Sequence, residues 1–517
     1  MKRACRRKLA ARIVCASSIK HCAGFLTGRL RVKSIIRAVL LLVISAPCVT
    51  TLAQNEDQRG ALEEHHSARR KTDTITVSEF QARRKEAMKR LPDGLLLLHA
   101  RSALKTEDQS GFRQDATFYY FTGLESAMSA ILAIDAPAQE SWLFVPSKLG
   151  GLADQMVEKA FVKPGAETGA QLKIEHVVRW EEFASYIDRR LAADPKLIIY
   201  LDEGGFSKLW LGHESNPPGL GAVENPFRLW RRAIEERWPK GTVKSASQAI
   251  VEMRRIKSEA EIEVMRRVAR SSAAALRAGL SALQADRAQR EVEAEIVREC
   301  IRAGGEGPSF WPWAMAGPNS AFPAPFASFA DYRHLNRVMR RGEVARLDVG
   351  CAVDHYEGDV GRTAPVSGRF DPGQRETWEL LISAYRAGLA TMRDGARTAD
   401  VIAASLREIE RLKDSMKTPL GRKAVAVLLG AGGMRYWQAH GVGLEAAEPA
   451  PEVLRSGMVV AFEPIFAVEG QGFYLEDMIL ITRDGYEILT TGLPYSADEI
   501  ERLVSRGKEA RLRSISR

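Results

Sequence analysis

The chain has 517 residues, with 75 Lys+Arg against 65 Asp+Glu, 45% hydrophobic and 7% aromatic residues. That profile excludes collagen, a low-complexity chain and a polytopic membrane protein, and the length suits about two or three domains at roughly 150 residues each. The formal charge of +10 belongs to one end: residues 1–53 hold eleven Lys/Arg and no Asp/Glu, which leaves 64 basic against 65 acidic residues after them. The rest of the chain is close to neutral, so no nucleic-acid partner is expected.

In chain order, the first segment explains its own bias. Arg29, Arg31, Lys33 and Arg37 precede an apolar run from Ala38 to Ala46, followed by Pro47 and a small-residue stretch ending Thr51-Leu52-Ala53. This is the pattern of a secretory signal, too short for a comfortable membrane span. We expect an exported protein, periplasmic or secreted, with an uncleaved membrane anchor as the lesser alternative. Cys5, Cys15, Cys22 and Cys48 fall in this leader, leaving Cys300 and Cys351. Two distant thiols make no disulfide framework, and a pairing between them stays open.

Residues 54–73 are polar and read as a linker. A first domain over 74–245 opens with a helix from Thr74 to Leu91, with Ser78 as its N-cap, stopped at Pro92-Asp93-Gly94. Short apolar or β-branched runs follow: Leu95 to His99, Thr117 to Thr122, Ala130 to Ile134, Trp142 to Val145 and Lys196 to Leu201. They predict a mixed sheet with helices. In a second domain, 246–510, Ser258 and Glu261 form a capping box for a long amphipathic helix, and another helix runs from Gln289 to Ala303. Strand-like stretches (Val344 to Val349, Met458 to Phe462, Met478 to Thr482) alternate with helices over Arg375 to Arg393 and Ala399 to Leu412. The expected fold class is α+β, a mixed α/β domain followed by an antiparallel sheet backed by helices.

Five segments of the second domain each offer a hard ligand near a strand end. Asp348 and Asp359 stand eleven apart, a spacing that lets them face one another across a hairpin. His440 lies in His440-Gly441-Val442-Gly443-Leu444, Glu463 ends an apolar strand before Pro464, and Glu476 with Asp477 opens another. Singly each is weak, because an Asp beside Gly is usually a turn residue and a lone His is usually structural. Together, four carboxylates and one imidazole suit a pair of divalent first-row ions and are too rich in oxygen for a structural zinc.

From Met253-Arg254-Arg255-Ile256-Lys257-Ser258 to Thr482, this order resembles the creatinase/methionine-aminopeptidase ("pita-bread") metallopeptidases, with Asp348, Asp359, His440, Glu463 and Glu476 on the family's metal-ligand positions. Gly111-Phe112-Arg113-Gln114-Asp115 and Phe118-Tyr119-Tyr120-Phe121-Thr122-Gly123 resemble the N-terminal domain of the Xaa-Pro aminopeptidase branch. The resemblance implies a pita-bread domain and two divalent ions, Mn²⁺ before Co²⁺ or Zn²⁺. Asp359 and Glu476 would bridge them, Asp348 would bind one ion, and His440 and Glu463 the other. It further implies an aminopeptidase that attacks Xaa-Pro peptides through a metal-bridging hydroxide, with Glu463 and His440 in the catalytic centre and Glu463 passing a proton to the leaving nitrogen. Some relatives form homo-oligomers, so a homo-oligomer is a further expectation. For the proline ring, Phe310, Trp311, Trp313, Phe322 and Phe326 are packing candidates, although an aromatic cluster is more often core.

Four supporting positions depart from the family. Relatives carry histidines where this chain has Ala447, Ala324 and Tyr436, and an arginine where it has Tyr474. His334, His355, Tyr436 and Tyr474 are candidate substitutes, His355 being equally readable as a hairpin tip. The alternative to the peptidase is therefore a metal-binding module of the same fold that is catalytically weak or inactive and recognises a peptide or protein. A hydrolase of another C–N bond, as in creatinase, is a third reading, disfavoured because creatinase needs no metal.

Overall fold

In the computed structural model, which describes residues 75–102, 113–125, 127–147, 162–203, 226–321 and 336–515, Thr76 rather than Ser78 opens the first helix. α1 (Val77–Arg90) takes its N-cap from the Thr76 hydroxyl, which accepts from the Glu79 N–H. The Ser78 hydroxyl accepts from Lys173 instead. The run from Thr117 to Thr122, expected among the strands, is a helix, α2 (Ala116–Thr122). Asp115 caps it by accepting from the Phe118 N–H, and Gly123 ends it in the left-handed region. Two good caps outweigh the β-preference of its aromatic and β-branched residues.

The first sheet has six strands: β1 (Gly94–His99), β2 (Ile131–Asp135), β3 (Glu140–Val145), β4 (His176–Arg179), β5 (Ile198–Leu201) and β6 (Thr242–Ser245). Their order is β4-β3-β2-β1-β5-β6. β1 pairs antiparallel with β2 and parallel with β5, so the sheet is mixed.

The second part begins with α3 (Glu259–Ala282), whose capping box joins Ser258 and Glu261, and α4 (Gln289–Arg302). Its strands are β7 (Gly307–Pro308), β8 (Trp313–Ala316), β9 (Val344–Val349), β10 (Cys351–Val353), β11 (Tyr356–Glu357) and β12 (Val360–Pro365), then β13 (Trp437–Gly441), β14 (Val459–Val468), β15 (Gln471–Ile481) and β16 (Tyr486–Ile488). The large sheet is antiparallel in the order β13-β14-β15-β12-β9-β8, with β16 on β15, while β7, β10 and β11 form a small sheet. α3, α4, α5 (Pro372–Leu389), α6 (Thr398–Leu412) and the terminal α7 (Ala497–Ile515) contribute to the core on one face, where Leu276, Leu280, Trp378, Leu381 and Val504 meet Leu347, Phe462, Phe473 and Leu475.

On its other face the large sheet shares a second core with the first part of the chain: Phe80, Phe118 and Tyr120 lie in one cluster with Val268, Val442, Ala461 and Met478. Thr74–Arg517 form one compact unit. Cys300 of α4 and Cys351 of β10, whose pairing the spacing leaves open, form a buried disulfide. This cross-link fastens the β10 extension of the β9–β12 hairpin to a helix.

Candidate metal centre

Alternation along the strands decides which side chains meet. On β9, Leu347 and Val349 enter the helical core while Asp348 points to the opposite face. Asp348 pairs in register with Gly361 of β12, so Asp359, two positions earlier, reaches the same face. His440 sits opposite Ala461 on β14, with Trp437 and Ala439 of its own strand on the core side.

Two boundary expectations need correction. β14 does not end at Glu463; it runs through Pro464 to Val468. Glu476 does not open a strand but lies in the middle of β15. The ladder between them pairs Phe462 with Asp477 and resumes with Ile465 and Tyr474. Pro464, which has no N–H, falls in that interruption, where Glu463 and Glu476 stand abreast.

The structure brings the five residues together. His440 Nε2 is 3.4 Å from Glu463 Oε1, 3.7 Å from Glu476 Oε1 and 3.9 Å from Asp359 Oδ2. The ligand atoms of Asp359, His440 and Glu476 all lie within 4.8 Å of one another. Asp348 joins the group from β9, where its pairing with Gly361 sets it on the face that carries Asp359. His440 Nδ1 is 3.0 Å from the Gly441 carbonyl, which places the ring proton there and turns Nε2 to the carboxylates.

The electrostatics are those of a cluster short of positive charge. Burial pushes the Asp348 carboxyl up to about 7, against the pull of the Arg346 guanidinium. Burial, then the charge of Glu476, moves Asp359 well above the carboxylate range; burial, then Glu463, does the same to Glu476. Burial opposes a charge on His440, but the hydrogen bond and charge of Glu463, the Gly441 carbonyl and the charge of Asp348 together outweigh it and the ring shifts up. Asp359 Oδ1 and Glu476 Oε1 are buried without a hydrogen-bond partner. Each such orphan costs about 1–3 kcal/mol, so the donor set fits divalent cations, which would occupy those oxygens.

The proposed substitutes fare differently. Tyr474 donates its hydroxyl hydrogen to Glu476 Oε2 at 2.5 Å and so belongs to the centre. Tyr436 packs against the helical core and accepts from Arg435. His355 is at the β10–β11 turn with φ 65°, its ring packed at a tilt against Tyr119 with centroids 4.2 Å apart. His334, Phe322 and Phe326 lie outside the described residues. Trp313 pairs in register with Asp348 at the rim, whereas Trp311 is half exposed and donates to Glu293.

Sequence reasoning missed two supports. Arg254 donates to Glu445 at 2.7 Å and to Glu448 at 2.8 Å, and Lys257 to Glu448 at 2.9 Å, which clamps the turn after His440. Arg362 of β12 donates to the Glu476 carbonyl at 2.6 Å and to Asp477 at 2.9 Å, and Asp477 also accepts from Tyr385, Thr490 and Tyr495. Asp477 is thus the structural member of the acidic pair. The signal for it was the strand period, which sends neighbours to opposite faces.

Comparison with known proteins identifies the class. Residues 263–483 match the model of metallopeptidase family M24, and residues 80–200 that of the aminopeptidase P N-terminal domain. These two matches give the chain the architecture of an aminopeptidase P N-terminal domain followed by a metallopeptidase domain, and the large sheet with its helices is the pita-bread domain. It is 25% identical to Xaa-Pro aminopeptidase of Haemophilus influenzae over 457 residues, 83% of this chain and 98% of that protein. Against Xaa-Pro dipeptidase of Pyrococcus horikoshii it is 29% identical over 269 residues, 50% of this chain and 69% of the relative. A solved structure of aminopeptidase P from Escherichia coli with the inhibitor Pro-Leu shares the fold, with a TM-score of 0.66 at 23% identity over 84% of this chain and 99% of that one.

Proposed function

We propose that the chain is a metal-dependent aminopeptidase that releases the N-terminal residue of Xaa-Pro peptides. The observation that carries this reading is the convergence of Asp348 of β9, Asp359 just before β12, His440 of β13, Glu463 of β14 and Glu476 of β15 into one cluster, with two orphaned carboxylate oxygens in it. Near-complete alignment with a curated Xaa-Pro aminopeptidase supports the choice of substrate.

The five residues would hold two divalent ions, Mn²⁺ first among them, which when bound acidify water and polarise a carbonyl. Asp359 and Glu476, whose ligand atoms lie with that of His440 within 4.8 Å of one another, would be the carboxylates shared by the two ions. Tyr474 fixes one Glu476 oxygen and leaves the other for metal. Glu463, 3.4 Å from His440, would take a proton and deliver it to the departing nitrogen. Proline gives that nitrogen no hydrogen in the intact bond, so the ring is recognised by packing, for which Trp313 beside Asp348 is positioned.

The test is turnover by the folded, Mn²⁺-loaded chain on a panel of Xaa-Pro peptides. Release of the first residue supports the reading. Failure on every peptide and metal, with retained peptide binding, would favour the inactive module.

We place the mature chain outside the cytosol, where the Cys300–Cys351 disulfide would persist. Fractionation of the native host, with N-terminal sequencing of the purified protein, tests export and the cut after Ala53 together.

A further inference from the structure

Glu357 ends β11 two positions before Asp359 and is tied to three other segments. Its Oε2 accepts from the Ala446 N–H at 2.7 Å and its own N–H donates to the Gly443 carbonyl at 2.7 Å, so it grips the turn that leaves His440 at two points. Its Oε1 receives the guanidinium of Arg113, which lies in the stretch that matches the aminopeptidase P N-terminal domain. The same Arg113 nitrogen lies 3.5 Å from the Ser309 carbonyl. Ser309 in turn joins the two arms of the ligand hairpin: its N–H donates to the Gly350 carbonyl at 2.9 Å, and its Oγ accepts from the Gly358 N–H at 3.0 Å. Gly350 comes two residues after Asp348, and Gly358 immediately precedes Asp359.

Arg113 is itself anchored. Its carbonyl accepts from the Arg101 guanidinium at 3.0 Å. The adjacent Gln114 is buried, accepts from the Arg101 and Asp115 N–H groups at 2.7 and 2.9 Å, and donates to the Ala127 carbonyl at 3.2 Å. One end of the link is therefore fixed in the first part of the chain, and the other ends on the two segments that present Asp359 and His440. We propose that Arg113 is a positioning residue for the metal centre: by fixing Glu357 it sets the separation of Asp359 and His440, so that a residue far outside the ligand set governs metal affinity. This rests on the metal-centre reading above and specifies what holds two of its ligands in register.

Charge and position predict opposite results at Arg113. Mn²⁺ affinity is measured by calorimetry on the chelator-treated full chain, with circular dichroism to verify folding, for wild type, Arg113→Met, Glu357→Gln and Glu357→Leu. Removing a cation from the neighbourhood would by charge alone tighten Mn²⁺ binding. Releasing Glu357 should instead weaken it about tenfold, the loss typical of a group that orients metal ligands. Glu357→Gln and Glu357→Leu delete the same charge, but only the glutamine oxygen can still accept from Ala446, so the leucine variant should bind Mn²⁺ about tenfold more weakly than the glutamine variant. Either comparison carries the test if a variant of the other does not fold. Equal or tighter binding in folded Arg113→Met, or equal affinity in the two Glu357 variants, overturns the positioning role alone. A wild-type chain that takes up no metal overturns the metal centre and the positioning role with it.

Discussion

At the residue scale, the centre divides into groups that strand patterning exposes and groups that only packing exposes. Asp348, Asp359, His440, Glu463 and Glu476 were legible because each is a hydrophilic group within or at the end of an apolar strand run, where it needs a reason, and Asp359, His440 and Glu463 also adjoin glycine or proline. Arg254 and Lys257 were not, because their partner Glu448 lies 194 and 191 residues further along, a relation that no single segment encodes. Glu463→Gln keeps the shape but removes the proton carrier, so kcat on an Xaa-Pro peptide should fall by about 100-fold or more, measured in protein whose circular dichroism is unchanged. Ala447 offers the reverse experiment. Its turn is held on both sides, by Glu445 and Glu448 paired with Arg254 and Lys257, so an introduced imidazole has a fixed backbone to project from. If the missing histidine limits turnover, Ala447→His should raise kcat about tenfold or more with little change in KM. No gain in the folded variant would mean that another donor already fills that role.

At the element scale, the long amphipathic helices and the core strands were readable from their periods, and the errors fell where local rules competed. Residues 117–122 look like a strand by composition, yet Asp115 and Gly123 impose a helix. Proline after Glu463 reads as a stop, yet β14 continues because that proline sits where the ladder to β15 is already interrupted. The Cys300–Cys351 bond was not derivable, since a separation of 51 residues says nothing about proximity. It ties α4 to β10, immediately beyond the strand that carries Asp348. Closing a loop of that size constrains the unfolded chain by about 4 kcal/mol in the chain-entropy account. Cys300→Ala/Cys351→Ala should therefore lose stability of that order in denaturant titrations. Because Asp348 is three residues from the lost anchor, Mn²⁺ affinity should also drop; equal affinity would show that the sheet alone holds the ligand.

At the scale of the whole molecule, the folded chain is under electrostatic stress that metal should relieve. In the metal-free protein, burial raises Asp348 from the ordinary 3.8 to about 7 and lifts Asp359 and Glu476 further. Between those values the folded state holds protons that the unfolded chain has already released. Stability must then fall as pH rises through the window from about 4 to 7, the opposite of a carboxylate held by a salt bridge. Asp115 and Glu357, each raised to about 7 chiefly by burial, act in the same direction outside the ligand set. Mn²⁺ replaces the bound protons of the cluster but not those of Asp115 and Glu357. The metal-free chain should therefore melt at a lower temperature at pH 8 than at pH 5.5, and saturating Mn²⁺ should raise the melting temperature most at pH 8, flattening the slope without abolishing it. Thermal scans across pH with and without Mn²⁺ check this. A metal-free chain that grows more stable toward pH 8, or a slope that Mn²⁺ leaves untouched, would mean that Asp348, Asp359 and Glu476 do not titrate as one buried, cation-seeking group.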